Sequence, residues 1–370
     1  LHYFLKTSSY FHASSSAPII KPALNATMED RKKDITIYDI ATRLNVSAST
    51  VSRALRDHKS IGKKTKKAVQ ELADELGYRP NKLASSLRTN HSKTIGVLVS
   101  WINRPFISSL IAGIENAARK KGYQVIICQS HDSVVLEKEY LRALYNSRVC
   151  ALITSLAMQT EDYSHFDLFT KNNIPIVYVD RTPKIDTVNK VKINNYQASF
   201  EATEHLIRQG CTRIAHLGGD PIQSIYEDRL NGYIAALRVH HLPVDESIIR
   251  QAEHLSAEEG TRLAQEVLAL SPRIDGIVCA NDTAAVSAIQ YAESQGIRIP
   301  EDLAVIGFNN DPVCEIIEPA LSSVHHPAEQ MGEAAVSRTL NIIEEEDSEI
   351  NAIILDTHLI IRASSQRLPK

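Results

Sequence analysis

The stretch Ser47-Ala-Ser-Thr-Val-Ser-Arg-Ala-Leu55 decides how the first part of this 370-residue chain is read. Ser47 suits a helix start, because its hydroxyl can accept one of the free N–H groups of the first turn. Behind it Val51, Ala54 and Leu55 recur at helical spacing and make an apolar face. Ala48, Ser49, Ser52 and Arg53 avoid that face, so small polar groups and one guanidinium point outward. A helix that reads the major groove has this chemistry: short residues near its start meet base edges, and arginine forks onto guanine. A Ser-rich amphipathic surface helix would look the same over nine residues, so the flanks must separate the two.

Upstream, Thr36 can cap a helix with Asp39 three residues on, the spacing of a capping box. Ile37, Ile40, Ala41 and Leu44 follow at helical spacing, and Asn45-Val46 makes a tight turn into Ser47. Downstream, a third helix is predicted from about Lys63 to Leu76, with Ala68, Val69, Leu72, Ala73 and Leu76 inward and Gly77 as its stop. Three short helices with a tight turn between the first two make a helix-turn-helix. Gly62-Lys63-Lys64 opens the third helix with two cations that oppose its dipole, and they are read as facing phosphates.

The charge agrees. The formal net charge is −3, which as an average argues weakly against nucleic acid. Residues 31–93, however, hold 15 Lys+Arg against 6 Asp+Glu, leaving 26 against 38 elsewhere. A small basic block beside a large acidic body is the footprint of a nucleic-acid-binding head on a separate domain. At 43% hydrophobic residues the composition excludes collagenous, disordered and coiled-coil chains. No apolar run approaches the roughly 18 residues of a membrane span. Five cysteines at 128, 150, 211, 279 and 314 form no CxxC pair, so they read as thiols in a reducing cytosol rather than a disulfide or zinc framework. Residues 1–33 carry no signal-peptide pattern and are expected to be a disordered extension, with a conventional-looking start at Met28.

From residue 94 the period changes. Thr94–Ser100, Tyr123–Cys128, Ala151–Ser155 and Ile174–Val179 are short apolar runs, separated by helical stretches such as Ile107–Lys121 and Leu136–Asn146. The alternation restarts at Arg213–Leu217, Gly276–Ala280 and Leu303–Phe308. Apolar strands alternating with helices imply parallel sheets covered on both faces, here an α/β body of two doubly wound lobes. Ligands of such sheets bind beyond the carboxyl ends of the strands, and a cleft between two lobes suits a small polar molecule and hinge closure.

Thr36-Ile-Tyr-Asp-Ile-Ala41, Val46–Leu55 and Glu75–Arg88 (ELGYRPNKLASSLR) occur in the order and spacing of one family. Together they resemble the LacI/GalR family of bacterial transcription regulators, over roughly residues 34–370. The resemblance implies that the helix at 47–55 enters the major groove of an operator. Ala48 and Ser49 would occupy its variable specificity positions, and Arg53 its base-reading arginine, with Ser52 on the same face. Thr36, Tyr38, Ser47, Thr50 and Tyr78 would touch phosphates or support the reading helix. The segment from Pro80 and Asn81 to Arg88 matches the family's hinge helix, with Leu87 at the position driven into the minor groove.

The body resembles the family's domain related to periplasmic sugar-binding proteins. Arg229, in Arg-Leu-Asn-Gly-Tyr233, and Asn281, in Cys-Ala-Asn-Asp282, match recurrent effector contacts. A third such position is commonly Asp in the family and is Asn309 here, which removes a charge suited to a pair of sugar hydroxyls. Ser100, Trp101 and Phe106 match the wall of the cleft, and Asp132, Asp180 and Arg181 follow later strands. His325-His326 does not make a metal site, because neighbours on a strand point to opposite faces.

The expected organisation is therefore an extension at 1–33, a DNA-binding head at 34–78, a hinge helix and linker at 79–92, and an effector-binding and dimerisation domain at 93–370. One lobe takes about 93–188 and 325–340, the other about 189–324 and 341–370. No cofactor or metal is expected. The partners are double-stranded operator DNA, a sugar-like effector and a second copy of the chain, in the cytoplasm and without a membrane. An enzyme is disfavoured, since GxGxxG, P-loop and GxSxG signatures are absent. A solute-binding protein would need export and would leave residues 34–90 without a role.

Overall fold

The structure, a computed structural model, describes residues 35–78, 92–344 and 349–367. The expectations for residues 1–33, for Asn81 and for Leu87 lie outside the described residues. The chain forms two compact units, 1–85 and 86–370.

In the first unit, α1 (Ile37–Arg43), α2 (Ala48–Leu55) and α3 (Lys63–Glu75) form the three-helix head. Asp39 accepts from the backbone N–H of Thr36 at 2.7 Å and from its hydroxyl at 2.6 Å. Ser47 Oγ accepts from Thr50 N–H at 3.1 Å, which fixes the start of α2. Asn45, at φ 50°, makes the turn between the first two helices, and Gly77, at φ 64°, follows α3. Ile40, Ala41, Val51, Ala54, Val69 and Ala73 form the buried core. Ala48 departs from the sequence reading: it is half-buried and packs on this core. The cause is helical geometry, since 48 lies three residues before Val51 and seven before Leu55, on the same side.

The second unit contains two six-stranded sheets. The first has the order β11-β5-β4-β3-β1-β2, built from β1 (Thr94–Val99), β2 (Gln124–Gln129), β3 (Ala151–Thr154), β4 (Ile176–Val179), β5 (Asn189–Ile193) and β11 (Ala352–Leu355), all parallel. The second has the order β12-β10-β9-β8-β6-β7. It comprises β6 (Ile214–Gly219), β7 (Ile249–Ala252), β8 (Gly276–Cys279), β9 (Ala304–Asn309), β10 (Ser322–His325) and β12 (His358–Ile360), with only the β10–β12 pair antiparallel. Helices α4 (Pro105–Lys120), α5 (Val134–Asn146) and α10 (Ala328–Ile343) pack on the first sheet. Helices α6 (Asn195–Arg208), α7 (Ser224–Val239), α8 (Ala257–Leu268) and α9 (Asp282–Ser294) belong with the second.

The chain crosses between lobes after β5, after β10 and after β11. The expected boundary at 188/189 thus falls too early, because 189–193 is a strand of the first sheet. The segment 352–355, expected in the second lobe, is also a strand of the first. Both are hard to read from sequence: Asn189-Lys190-Val191-Lys192 interrupts its apolar run with lysines, and Ala352–Leu355 is an edge strand exposed on alternate residues. A related difference is β2, expected to be covered on both faces. It is the opposite edge, with Ile126 37% and Ile127 39% exposed. Within the first lobe α4 and α10 touch at backbone level: a Cβ on Gly113 would sit 2.2 Å from the Glu329 carbonyl oxygen. That glycine sets how closely the start of α10 approaches α4.

Candidate functional site

The carboxyl ends of both sheets face one cleft. Ser100 follows β1, Asp132 follows β2, and Asp180 and Arg181 follow β4. From the other lobe Asn281 follows β8, Asn309 ends β9, and Arg229 comes from α7. All eight residues expected to contact an effector (Ser100, Trp101, Phe106, Asp132, Arg181, Arg229, Asn281 and Asn309) line a single cavity of about 70 Å³ between the lobes. Backbone strain gathers around the cleft: Asp132, Asp180 and Asn309 adopt positive φ, Asn309 at 109°. Asn and Asp tolerate this region better than other non-glycine residues. A larger cavity of about 1040 Å³ opens where β3, β4 and β5 begin, the end of the sheet at which ligands do not ordinarily bind.

The cleft is a network of buried charge. Asp132 forms a very short ion pair with Arg181 and accepts from Trp101 Nε1 at 2.8 Å. The indole expected at the wall of the cleft is therefore tethered by its N–H, with His131 edge-on at 4.8 Å. Burial works against the Arg181 charge, but Asp132 beside it holds the guanidinium above its ordinary value. Arg229, 3% exposed, donates through Nε to Asn195 Oδ1 at 2.9 Å and through Nη1 to the Ala280 carbonyl at 2.6 Å. Its guanidinium lies 3.5 Å from the centre of the Phe308 ring. Among the described residues no carboxylate pairs with it directly, and burial lowers its pKa. Burial likewise raises the Asp180 carboxyl, partly offset by Arg181 and Arg229.

Asn281 is committed locally. Its Oδ1 accepts from Ala284 N–H at 2.8 Å as the cap of α9, and its Nδ2 donates to the Leu255 carbonyl at 3.0 Å. Both ends of the amide that the sequence offered to a ligand thus hold a helix start and a neighbouring loop. Several cleft residues escaped the sequence reading. Arg104, Tyr226, His254 and Asp311 line the same cavity. Tyr226 had a signal, lying three residues before Arg229 on one helix face. His325 and His326 do point apart: His325 faces His358 at 5.1 Å between ring centres, while His326 is 3% exposed beside Phe106. His326 Nε2 has no hydrogen-bond partner and sits 4.0 Å from Asp180. Burial, and then Arg229, push this imidazole well below its usual value, so it is neutral. Among the described residues no group of three or more His, Cys, Asp or Glu is placed to hold a metal ion.

Polar contacts tie the lobes together around the cleft. Gln223 Nε2 faces the carbonyls of Met158 at 2.8 Å, Ala157 at 3.0 Å and Thr160 at 3.3 Å. Ser224 donates to the Thr182 carbonyl at 3.1 Å, and Lys184 pairs with Glu227 at 2.6 Å.

In the head, Thr36, Tyr38, Ser47, Ser49 and Arg53 are exposed, whereas Thr50, Ser52 and Tyr78 are half-buried. Ser47, Ser49 and Thr50 form a hydroxyl cluster at the start of α2, with Oγ separations of 2.8 Å from Ser47 to each of the others. Lys63, Lys64 and Lys67 are exposed on α3, while Lys66 is held by Asp57 at 2.7 Å.

This architecture matches known proteins along both units. The description "Bacterial regulatory proteins, lacI family" fits residues 36–81, and a periplasmic binding protein-like domain fits residues 203–365. The HTH-type transcriptional repressor PurR of Photobacterium profundum is 30% identical over 333 residues, covering 90% of this chain and 99% of the relative. The chain belongs to the lacI family of bacterial regulatory proteins. PurR of Yersinia pestis is 31% identical over 89% of this lacI-family chain and 96% of the relative. Among solved structures, the transcriptional regulator CelR–cellobiose complex matches at 27% identity and TM-score 0.69, covering 89% of this chain and 99% of that one. The lac repressor dimer bound to operator and the anti-inducer ONPF matches at TM-score 0.81 and 24% identity over 90% and 100%, a likeness of fold. No helix among the described residues is long and apolar enough to cross a membrane.

Proposed function

We propose that this protein is a ligand-responsive, sequence-specific DNA-binding transcriptional regulator, acting as a homodimeric cytoplasmic repressor with a sugar-like effector in the inter-lobe cleft. The observation that carries the reading is the convergence of residues scattered from 100 to 309 on one cavity between lobes, in a chain that also begins with an exposed Ser/Arg helix face. Ala48, Ser49, Ser52 and Arg53 read bases, and Thr36, Tyr38, Ser47, Thr50, Tyr78 and Asn81 position the head on phosphates, with Leu87 as the minor-groove wedge. One head reads only a few base pairs, so two heads on a palindrome are needed for useful specificity. Support for a polar, sugar-like effector comes from the alternation of buried charge and aromatic rings in the cleft, and from related regulators described with cellobiose and with ribose. No catalytic role is assigned to any residue.

The test is an electrophoretic shift with palindromic duplexes selected from a random pool, titrated with salt and then with candidate sugars. A selected palindrome bound with steep salt dependence, and released or tightened by a compound that also raises the melting temperature, supports the reading. Failure to enrich any palindrome from the pool overturns it.

A further inference from the structure

The cleft cavity does not end the space between the lobes. A second cavity of about 440 Å³ adjoins it, and Phe106, Asn309 and Asp311 belong to the walls of both. The cleft lining balances Arg104, Arg181 and Arg229 against Asp132, Asp180 and Asp311, whereas the second cavity carries Asp311, Glu329 and Glu333 and has no lysine or arginine in its wall.

Asp311 stands where the two meet and is 7% exposed. Its backbone N–H donates to Asp282 Oδ2 at 2.7 Å, but among the described residues its own carboxyl accepts no hydrogen bond and pairs with no cation. Beside it Asn310 also lines the second cavity, with its Oδ1 sealed from solvent and without a partner among the described residues. Arg181 is committed to Asp132, and Arg104, which donates to the His254 carbonyl at 3.3 Å, acts on Asp311 through space without pairing with it. Buried polar groups are normally satisfied, so a largely buried carboxyl that lines both cavities with no donor among the described residues calls for one from outside the chain. Burial and then the neighbouring Asp282 push the Asp311 carboxyl up to about 7, with Arg104 partly offsetting them.

The amide at 309 and the acid at 311 place the anionic contact on the side of the second cavity. We propose that Asp311 is the recognition carboxylate for a protonated amine on the effector, which spans both cavities with its oxygens toward Arg229 and its ammonium toward Asp311. The inference rests on the reading of the cleft as an effector site and narrows its ligand to small polar primary amines. An ammonium supplies three donors and a compensating charge, whereas a hydroxyl supplies one donor and leaves the carboxylate unneutralised. Among the described residues no three acids of this wall converge as a metal site.

Two sources share this chemistry, amino sugars and aliphatic amines. The full chain is titrated calorimetrically at pH 7.5 with D-glucosamine, D-galactosamine, putrescine and neutral D-glucose, and again as Asp311→Asn. At least one amine should bind at least tenfold tighter than glucose, and the variant should lose that margin. Binding of a hexosamine points to amino sugars, binding of putrescine alone to aliphatic amines. The unliganded variant should melt no lower than the parent, because the amide removes an uncompensated buried acid; a carboxyl with a merely structural role would give a lower melting temperature. Glucose or other neutral sugars binding while all three amines fail overturns the proposal and leaves the effector reading intact. Silence of every compound, neutral and cationic, overturns both. Amine binding unchanged in Asp311→Asn overturns the assignment of the residue.

Discussion

Replacing Gln223 by Ala should loosen the closed cleft without unfolding either lobe. Gln223 lies just before α7 in the second lobe, is 2% exposed, and points its amide nitrogen at three carbonyls of the 157–160 loop in the first. A glutamine amide has two hydrogens, so two of these carbonyls are well served at once. Each such bond contributes about 0.5–1.5 kcal/mol net, or about 1–3 kcal/mol for the pair. In an open arrangement water serves the same carbonyls, so the whole loss falls on the closed form. At about 1.4 kcal/mol per tenfold, the closing equilibrium shifts roughly fivefold to a hundredfold toward open. An effector that requires the closed form should lose affinity by up to that factor, read by titration calorimetry, while the urea unfolding transition keeps its slope. Undiminished effector affinity in a folded Gln223→Ala protein would refute the assignment of this residue to closure. A collapse of the unfolding transition would make it a core residue instead.

Arg53→Ala should cost about 1–3 kcal/mol on the best palindrome and relax discrimination at one base pair per half-site, measured by competition shifts with single-base variants; unchanged discrimination would remove it from base reading. Glu137 is fully buried and accepts from Ala157 N–H at 2.7 Å, Thr160 Oγ1 at 2.8 Å and His165 Nε2 at 2.8 Å. Glu137→Gln should therefore lower the unfolding free energy by about 1.5–3 kcal/mol in urea, and a change below about 0.5 kcal/mol would contradict this. Asp282 is raised by burial to about 6 and Asp311 to about 7, both from 3.8, so the folded state holds protons that the unfolded chain has released. Their contribution to stability is complete below about pH 4 and is lost as pH rises through 6 and 7. Since His216 and His326 tilt the whole-protein curve the other way below 6.5, the readout is the difference between Asp311→Asn and the parent, which should grow in the variant's favour from about pH 4 to about pH 7.

The head was legible almost to the residue, because its signals are local. Caps at Thr36 and Ser47, apolar spacing and a glycine stop fix three helices without help from distant contacts. The central strands were legible for a similar reason, as uninterrupted apolar runs between turns. What escaped was fixed by tertiary closure. Strand β5 is an interrupted run held between β4 and β11, and β11 is an edge whose only strand neighbour among the described residues, β5, lies more than a hundred residues away. In the cleft, the expected residues came from strand ends and family position. Asp311 and His326 carry no local pattern, and their place is decided by where two lobes meet. Asn281 shows the converse, since a residue type suited to a ligand was also suited to capping, and its amide is spent there.

The same partition explains how one fold can be stable and still switch. Each lobe has an apolar cluster of its own on one face of its sheet, while Val179, Val191, Ile193, Phe308 and Val324 join a further cluster that includes strands of both sheets. Around the cleft the contacts that tie lobe to lobe are instead largely polar, and water can replace them on opening. Moving such an equilibrium from 1:99 to 99:1 takes about 5.5 kcal/mol of differential binding. A neutral molecule making a few ordinary hydrogen bonds, each worth about 1 kcal/mol net, falls short of that. Arg229 and Asp311 are groups able to supply more, because both are buried with no direct counter-charge among the described residues. Closing over a ligand that satisfies both gives a counter-charge to a desolvated guanidinium and to an acid that otherwise tends to keep its proton. The energy that drives the switch is then what the unliganded closed form forgoes, a counter-charge that the Asn195, Ala280 and Phe308 contacts of Arg229 replace only in part.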